Sequence, residues 1–221
     1  MSVDLLILTL NEVDGIRKIM PQIDQKCVDN IVIVDGGSTD GTIEEAKKQG
    51  FEVIKQKRKG HGDGVRIGVE ATSSDYIVIF GPDGNHDPNE IPKLIEKAKE
   101  GYDQVIVSRF GKTSVNLDAG IVDRFGNRMF TFLVNVFFGG HFTDCLNESR
   151  IITRNAMNQL DFDAMYLDST QQMSIQGLKK RQKIYEIIGN EGERIGGKRK
   201  MKPLKVGSQL TVQIIKEFIF W

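Results

Sequence analysis

Ile31-Val32-Ile33-Val34-Asp35-Gly36-Gly37-Ser38-Thr39-Asp40-Gly41-Thr42 is the stretch that decides the fold. Four consecutive β-branched residues read as a strand buried on both faces. The run then breaks into turn formers, and Asp40 ahead of Glu44 and Glu45 marks a helix start. Strand, polar elbow and helix make half of a βαβ unit.

The same unit recurs outward from there. Val3–Thr9 reads as a strand before it, and residues 51–54, 76–80 and 105–107 as three more after it. Between them lie helical patterns near 15–20, 42–49, 65–71 and 91–99, the last opened by Asp87, Pro88 and Glu90. Apolar strands alternating with helices predict an α/β fold with a mostly parallel sheet covered on both faces. The second half is different: an aromatic helix over 121–138, a strand at 149–153 and helices at 154–160 and 169–180. A strand at 184–188, a Gly/Lys-rich loop over 189–207 and a closing helix over 209–220 complete it. The chain, 221 residues without a repeat or linker, is expected to be one domain, 1–221.

Composition excludes several classes. Charged residues at 27% and hydrophobic residues at 39% are globular values. Lys+Arg and Asp+Glu are 30 each, which argues against a general nucleic-acid binder. The neutral sum hides a polarity: residues 1–55 carry 6 basic and 10 acidic groups, and residues 179–205 carry 10 and 3. No apolar run approaches the ~20 residues of a membrane span, and Met1–Glu12 lacks the basic start of a signal peptide. Cys27 and Cys145 form no disulfide framework or metal spacing, which suits a reducing, cytoplasmic compartment.

Ligands of open α/β sheets sit beyond the carboxyl ends of the strands. Three such ends are polar here: Thr9-Leu10-Asn11-Glu12, Asp35–Thr42, and Gly81-Pro82-Asp83-Gly84-Asn85-His86-Asp87. Any one would pass as ordinary turn and cap chemistry; three on one edge point to a site. There is no Walker A signature and no Gly-x-Gly-x-x-Gly after the first strand, so the P-loop and dinucleotide readings fail.

The elements Thr9–Glu12 and Ile31–Thr42 resemble the opening of the family 2 glycosyltransferases of the GT-A fold. Gly60-His61-Gly62-Asp63-Gly64-Val65-Arg66-Ile67-Gly68 is similar to the family's Gly-Lys-Gly-x-Ala-x-Arg-x-Gly segment, and Asp83–Pro88 to the end of its Asp-x-Asp motif. Ser108-Arg109-Phe110, Arg124–Arg128, Thr143-Asp144 and Arg194–Lys198 extend the likeness to the dolichyl- or polyprenyl-phosphate mannose or glucose synthases.

That resemblance implies a Rossmann-like nucleotide-sugar half (1–110) and an acceptor half (111–221). It implies an inverting transfer of a sugar from a UDP- or GDP-linked donor to a polyprenyl phosphate, assisted by Mg²⁺ or Mn²⁺. By the same likeness Thr9, Leu10, Asn11, Glu12, Asp35 and Gly36 cradle the nucleoside, with His61, Arg66, Pro82 and Asp83 beside the diphosphate. Asp83 and Asn85 are the implied metal ligands, and Arg109, Arg124, Arg128, Arg194 and Lys198 the implied partners of the acceptor phosphate. Asp83, Arg109 and Asp144 are the implied catalytic set. The sequence departs from the family pattern at three places: Gly81 replaces the first Asp of Asp-x-Asp, His61 replaces Lys, and Asn147-Glu148-Ser149-Arg150 replaces Ser-Gly-Phe-Arg. A phosphate acceptor is already an anion, so it calls for arginines rather than a general base. Were the acceptor instead a hydroxyl of a saccharide, protein or small molecule, Asp144 or Asp168 would be the candidate base. A binding module whose metal site has decayed at Gly81 is the non-catalytic alternative.

Met129–Phe138 reads either as a core helix or as an interfacial helix receiving a polyprenyl chain. The aromatic end, Phe218-Ile219-Phe220-Trp221, suits a headgroup zone or a homodimer contact equally. The cations from Arg194 to Lys205 read as a lid over phosphates, with attraction to an anionic leaflet as a second effect. The expected setting is peripheral, at the cytoplasmic face of a membrane.

Overall fold

The computed structural model describes residues 1–196 and 202–220. Seven strands form one sheet: β1 (Val3–Thr9), β2 (Asn30–Asp35), β3 (Val53–Lys55), β4 (Tyr76–Phe80), β5 (Gln104–Ser108), β6 (Arg150–Thr153) and β7 (Ile184–Ile188). Their order is β3-β2-β1-β4-β6-β5-β7. All neighbours run parallel except β6, which lies antiparallel between β4 and β5, with Ile79 opposite Arg150.

Alternation along the strands sorts the core into two faces. Leu5, Ile7, Val78, Phe80, Val105 and Val107 face the helices α1 (Val13–Lys18) and α4 (Glu90–Ala98), packing on Ile16, Ile91, Leu94 and Ala98. Leu6, Val32, Val34, Ile77, Ile79 and Ile152 face the other way, onto Val65 of α3 (His61–Ala71), Met157 of α6 (Arg154–Asn158) and Met173 of α7 (Asp168–Lys179). A third cluster joins Ile106 to α7 and to two long helices, α5 (Ile121–Phe138) and α8 (Pro203–Ile219), through Phe130, Val134, Phe138, Ile175, Leu210 and Ile214. The remaining helix, α2 (Thr42–Lys48), flanks β2 and β3.

Most elements stand where the sequence places them, and the differences have local causes. The third strand starts at Val53 rather than Phe51, because the Phe51 N–H donates to Ala46 O (3.1 Å) and still closes the end of α2. α3 begins at His61, four residues earlier than its apolar pattern. Its glycines serve a close approach instead: a Cβ on Gly62 would lie 1.9 Å from Ala164 O. The closing helix begins at Pro203 rather than 209, since proline's fixed φ suits a first turn; the Gly/Lys-rich loop is shorter by that much. The antiparallel β6 was not legible in the alternation. Its direction matters, because the residues leading into it, 144–149, arrive at the carboxyl edge of β4.

Among the described residues, no helix is long and apolar enough to cross a membrane. α5 is half core and half exposed: Phe130 and Val134 are buried, whereas Ile121 is 88% and Phe125 68% exposed. The core reading holds for the buried face, and the other face is exposed.

One glycine controls how α1 meets the edge of β4. A Cβ on Gly15 would lie 2.0 Å from the backbone oxygen of Pro82. Gly15→Ala is expected to push α1 from the loop after β4 and to cost about 1–3 kcal/mol, as overpacking does. Urea unfolding checks this; an unchanged midpoint would show that the contact yields freely.

Candidate functional site

The carboxyl edge of β1, β2 and β4 is held together by carboxylates that accept donors from neighbouring loops. Asp35, fully buried at the end of β2, accepts from Thr9 Oγ1 (2.9 Å), Gly37 N (2.9 Å), Ser38 N (2.8 Å) and Ser38 Oγ (2.5 Å). Asn11 adopts the left-handed region (φ 52°) and stitches the same two loops: its N–H donates to Ser38 Oγ (2.7 Å) and its Oδ1 accepts from Thr39 N (2.8 Å). The Glu12 N–H donates to Thr42 Oγ1 (2.9 Å) at the start of α2. Gly36 N–H donates to Thr9 O (2.8 Å), and Leu10 stands 40% exposed at the rim. Thr9, Leu10, Asn11, Glu12, Asp35 and Gly36 thus form one rigid lip.

The segment 190–196 runs across the loop after β4. Gly192 N–H donates to Asn85 O (3.0 Å), Asn85 Nδ2 donates to Gly192 O (3.0 Å), and Ile195 N–H donates to Asp83 O (2.7 Å). Gly84, at φ 89°, allows this crossing, since a Cβ there would lie 2.6 Å from Ile195. Arg194 then spans the lip: Nη1 donates to Asp83 Oδ2 (2.7 Å) and Nη2 to Glu12 Oε1. Sequence reasoning puts Arg194 with the acceptor arginines; in this structure it bridges the two donor-side carboxylates. Lys198 lies outside the described residues.

Arg109, Asp144 and Glu191 make a second group beyond β5. Arg109 Nε donates to Asp144 Oδ2 (2.7 Å), Nη2 to Asp144 Oδ1 (3.2 Å) and Nη1 to Glu191 Oε1 (3.1 Å). Asn127 Nδ2 of α5 also donates to Asp144 Oδ1 (2.8 Å). Burial opposes charge on both partners, yet the Arg109 guanidinium and the Asn127 amide hold the Asp144 carboxyl below its ordinary value. Against the same burial, Asp144 and Glu191 hold the Arg109 guanidinium above its own. Asp144 is fully buried, so its observed work is to aim Arg109. Arg124 and Arg128 are exposed one turn apart on α5, and Arg124 donates to Ala119 O and Asn116 O (both 2.9 Å).

Arg66, expected at the diphosphate, and Asp168, the candidate base for a hydroxyl acceptor, are engaged elsewhere. Arg66 Nη1 donates to Ala164 O (3.1 Å), and its guanidinium stacks 5.7 Å from the Phe162 ring centroid. Asp168, in the first turn of α7, accepts from Tyr166 N (2.9 Å).

His61 belongs to a group that sequence reasoning missed. Its Nε2 meets Glu148 Oε2 at 2.7 Å and its Nδ1 meets Ser169 Oγ at 2.7 Å. His86 Nε2 lies 3.3 Å from Glu148 Oε1. Burial alone would raise the Glu148 carboxyl; hydrogen bonds from His61 and His86 hold it well below the usual range. The one signal in the sequence was that a carboxylate replaces glycine at 148 in the resembled pattern.

The donor set for a divalent ion is small. Among the described residues, no three His, Cys, Asp or Glu side chains gather into a metal cage. Asp83 and Asn85 offer hard oxygens side by side, and Asn85 N–H donates to Asp83 Oδ1 (3.0 Å). Such a set fits an ion that takes one carboxylate and completes its shell from substrate phosphates, the habit of Mg²⁺. Arg194 now supplies the positive charge that such an ion would bring.

Residues 4–161 match the family model described as Glycosyl transferase family 2. The chain is 31% identical, over 70% of its length, to Glycosyltransferase AglJ of Haloferax volcanii, of which it covers 51%. It is 38% identical to Dolichol-phosphate mannosyltransferase of Pyrococcus furiosus over 51% of this chain and 34% of that one. With the Dolichyl-phosphate hexose transferase of Haloferax volcanii it shares 26% identity over 94% of this chain and 90% of that one. The chain spans about half the length of the first curated relatives it matches. Among solved structures, glucosyl-3-phosphoglycerate synthase from Mycobacterium tuberculosis, crystallised with Mn²⁺ and UDP-glucose, superposes with a TM-score of 0.80 at 21% identity. That match covers 98% of this chain and 78% of the other, and it shows the GT-A fold.

Removing Asp144 leaves Arg109 with Glu191 as its remaining ionic partner. Asp144→Ala is expected to cost about 3–5 kcal/mol at neutral pH, the range for breaking a buried pair. Because the folded-state carboxyl lies below its ordinary value, its contribution is complete above about pH 4 and is lost as pH falls through the folded value. The variant's deficit in urea unfolding should therefore shrink on acidification below that point. A deficit independent of pH would contradict the ionic account.

Proposed function

The chain belongs to glycosyl transferase family 2, and on that premise we propose that it moves a hexose from a UDP- or GDP-linked donor to a polyprenyl phosphate, inverting the anomeric centre. The observation that carries the reading is a basic and apolar surface around α5. Arg124 and Arg128 flank Asn127, which touches the Asp144 that aims Arg109. On the same helix Ile121, Phe125 and Phe132 stand 63–88% exposed, and α8 with the residue after it adds Leu204, Phe218 and Phe220. A phosphate carrying a long apolar chain asks for cations beside an uncovered apolar surface. The relatives named for dolichol- and dolichyl-phosphate transfer support the same acceptor class.

The chemistry follows from the groups at the edge. An acceptor phosphate oxygen attacks the anomeric carbon, the bond from that carbon to the donor diphosphate breaks, and its electron pair leaves with the nucleoside diphosphate. One in-line displacement inverts the centre, and no proton must be removed. Asp144 and Glu148 are both held ionised below the ordinary carboxylate range, which does not suit a base poised near neutrality. This favours a phosphate over a hydroxyl acceptor.

In this reading the lip from Thr9 to Glu12, with Asp35 and Gly36, orients the nucleoside, and Pro82 and Asp83 adjoin its diphosphate. His61 takes part through Glu148, and Arg66 reaches the diphosphate by leaving Ala164. Asp83 and Asn85 would hold Mg²⁺ or Mn²⁺, which supplies neutralisation of the departing diphosphate when bound. Arg194 would release Asp83 to such an ion and pair with phosphate oxygens instead, the role also assigned to Lys198. Arg109, Arg124 and Arg128 orient the acceptor phosphate, and the exposed faces of α5 and α8 rest on the cytoplasmic side of a membrane.

Transfer assays with UDP- and GDP-hexoses, Mn²⁺ and a detergent-dispersed polyprenyl phosphate should give a lipid-linked hexose by mass spectrometry. Sugar appearing only on a water-soluble acceptor such as 3-phosphoglycerate would reject the acceptor assignment. Arg124→Ala with Arg128→Ala should raise the acceptor KM about tenfold or more, the equivalent of one charge-assisted hydrogen bond at ~1.5 kcal/mol. The donor KM should stay within about twofold, because Arg124 bonds to Ala119 and Asn116 rather than to the lip. An equal rise in both would contradict the assignment.

A further inference from the structure

Three departures from the family's sequence pattern, at 61, 81 and 148, meet at one point in space. Gly81 follows β4 directly, where the resembled motif has its first Asp. A Cβ built on Gly81 would lie 2.2 Å from Glu148 Oε1, so the space that a side chain at 81 needs is filled by the Glu148 carboxylate. Glu148 arrives there because β6 is antiparallel and begins at Arg150, opposite Ile79. Its two oxygens are fixed from two sides, by His61 at the start of α3 and by His86 in the loop after β4.

We propose that Glu148 lends the edge of β4, from another part of the chain, the carboxylate that residue 81 lacks, and so completes with Asp83 the anionic pair that faces the donor's diphosphate and its cation. The assignment rests on the family reading of the donor site, not on the acceptor.

The geometry favours a placed charge over a packing filler. Glu148 keeps 22% of its side chain exposed, whereas His86 beneath it is 5% exposed. Both oxygens are partnered by imidazoles, which fix the orientation of the carboxylate without covering it. The other ring nitrogen of His86, Nδ1, is buried without a hydrogen-bond partner among the described residues. His61 in place of Lys belongs to the same exchange. An imidazole on the first turn of α3 reaches Glu148 at 2.7 Å while its other nitrogen stays on Ser169. Glu148 is a positioning and charge-placing group here, and no proton transfer is assigned to it.

The test is an exchange of the two positions, read by binding. Mn²⁺ binding by the native chain, with UDP or GDP as the nucleotide probe, is followed by electron paramagnetic resonance of the free ion and by calorimetry. Glu148→Gln preserves shape and removes charge; in a variant that circular dichroism shows to be folded, it should raise the half-saturating Mn²⁺ concentration about tenfold or more. Gly81→Asp alone should be poorly tolerated, because two carboxylates compete for one space. Gly81→Asp combined with Glu148→Gly should bring Mn²⁺–nucleotide binding back to within about threefold of native. Neither readout involves an acceptor, so a failed acceptor assignment leaves this result intact. Unchanged Mn²⁺–nucleotide binding in Glu148→Gln, or a double variant no better than the worse single one, would overturn the proposal.

Discussion

A carboxylate withdrawn from water at a strand end must be met by donors or by an opposite charge. Those gathered at the carboxyl edge of this sheet include Glu12, Asp35, Asp83, Asp144, Glu148 and Glu191. The loops are arranged as answers to them. Asp35 is met by hydroxyls and backbone N–H groups, Asp144 by Arg109 and Asn127, Glu148 by His61 and His86, and the pair Glu12 and Asp83 by Arg194. Loop conformation, the path of 190–196 and the placement of α3 follow from that requirement.

The compensations differ in kind, and the difference divides the edge by role. Hydroxyl and backbone donors at Asp35 are short and local, so the β1 and β2 loops form a rigid wall. Arg109 is tied at three nitrogens to two buried carboxylates and cannot leave cheaply. Arg194 is held by the buried Glu12 and by Asp83, whose side chain is partly open, on a segment that leads into the basic stretch. In the proposed reaction a diphosphate with its cation would compete for both ends of that bridge, offering the anion to Arg194 and the cation to Asp83. Exchange of this kind costs little net electrostatic energy, because each charge keeps an opposite neighbour.

Much of the fold was legible because buried parallel strands announce themselves. Ile31–Val34 and Tyr76–Phe80 are continuous apolar runs, and β1, α5 and β7 stand at the residues the pattern indicates. Periodicity carries no strand direction, so β6 was legible as a strand and not as an antiparallel one. The polar lip at the carboxyl edge was legible because turn residues recur at three strand ends. Arg194 across Glu12 and Asp83 was not, since the partners lie more than a hundred residues apart and no local rule links them. Gly81 looked like a loss in the sequence because the carboxylate that fills its place comes from position 148.

The central claim is that this edge is built to exchange its internal cation for a donor diphosphate and a metal ion. A crystal structure of the chain with Mn²⁺ and UDP or GDP tests it most directly. The account predicts that the ion sits on Asp83 against the diphosphate, with Arg194 withdrawn from Asp83 and the Asp35 loop unmoved. A nucleotide bound away from the β1 and β2 loops, with Arg194 still joining Glu12 to Asp83, would contradict it.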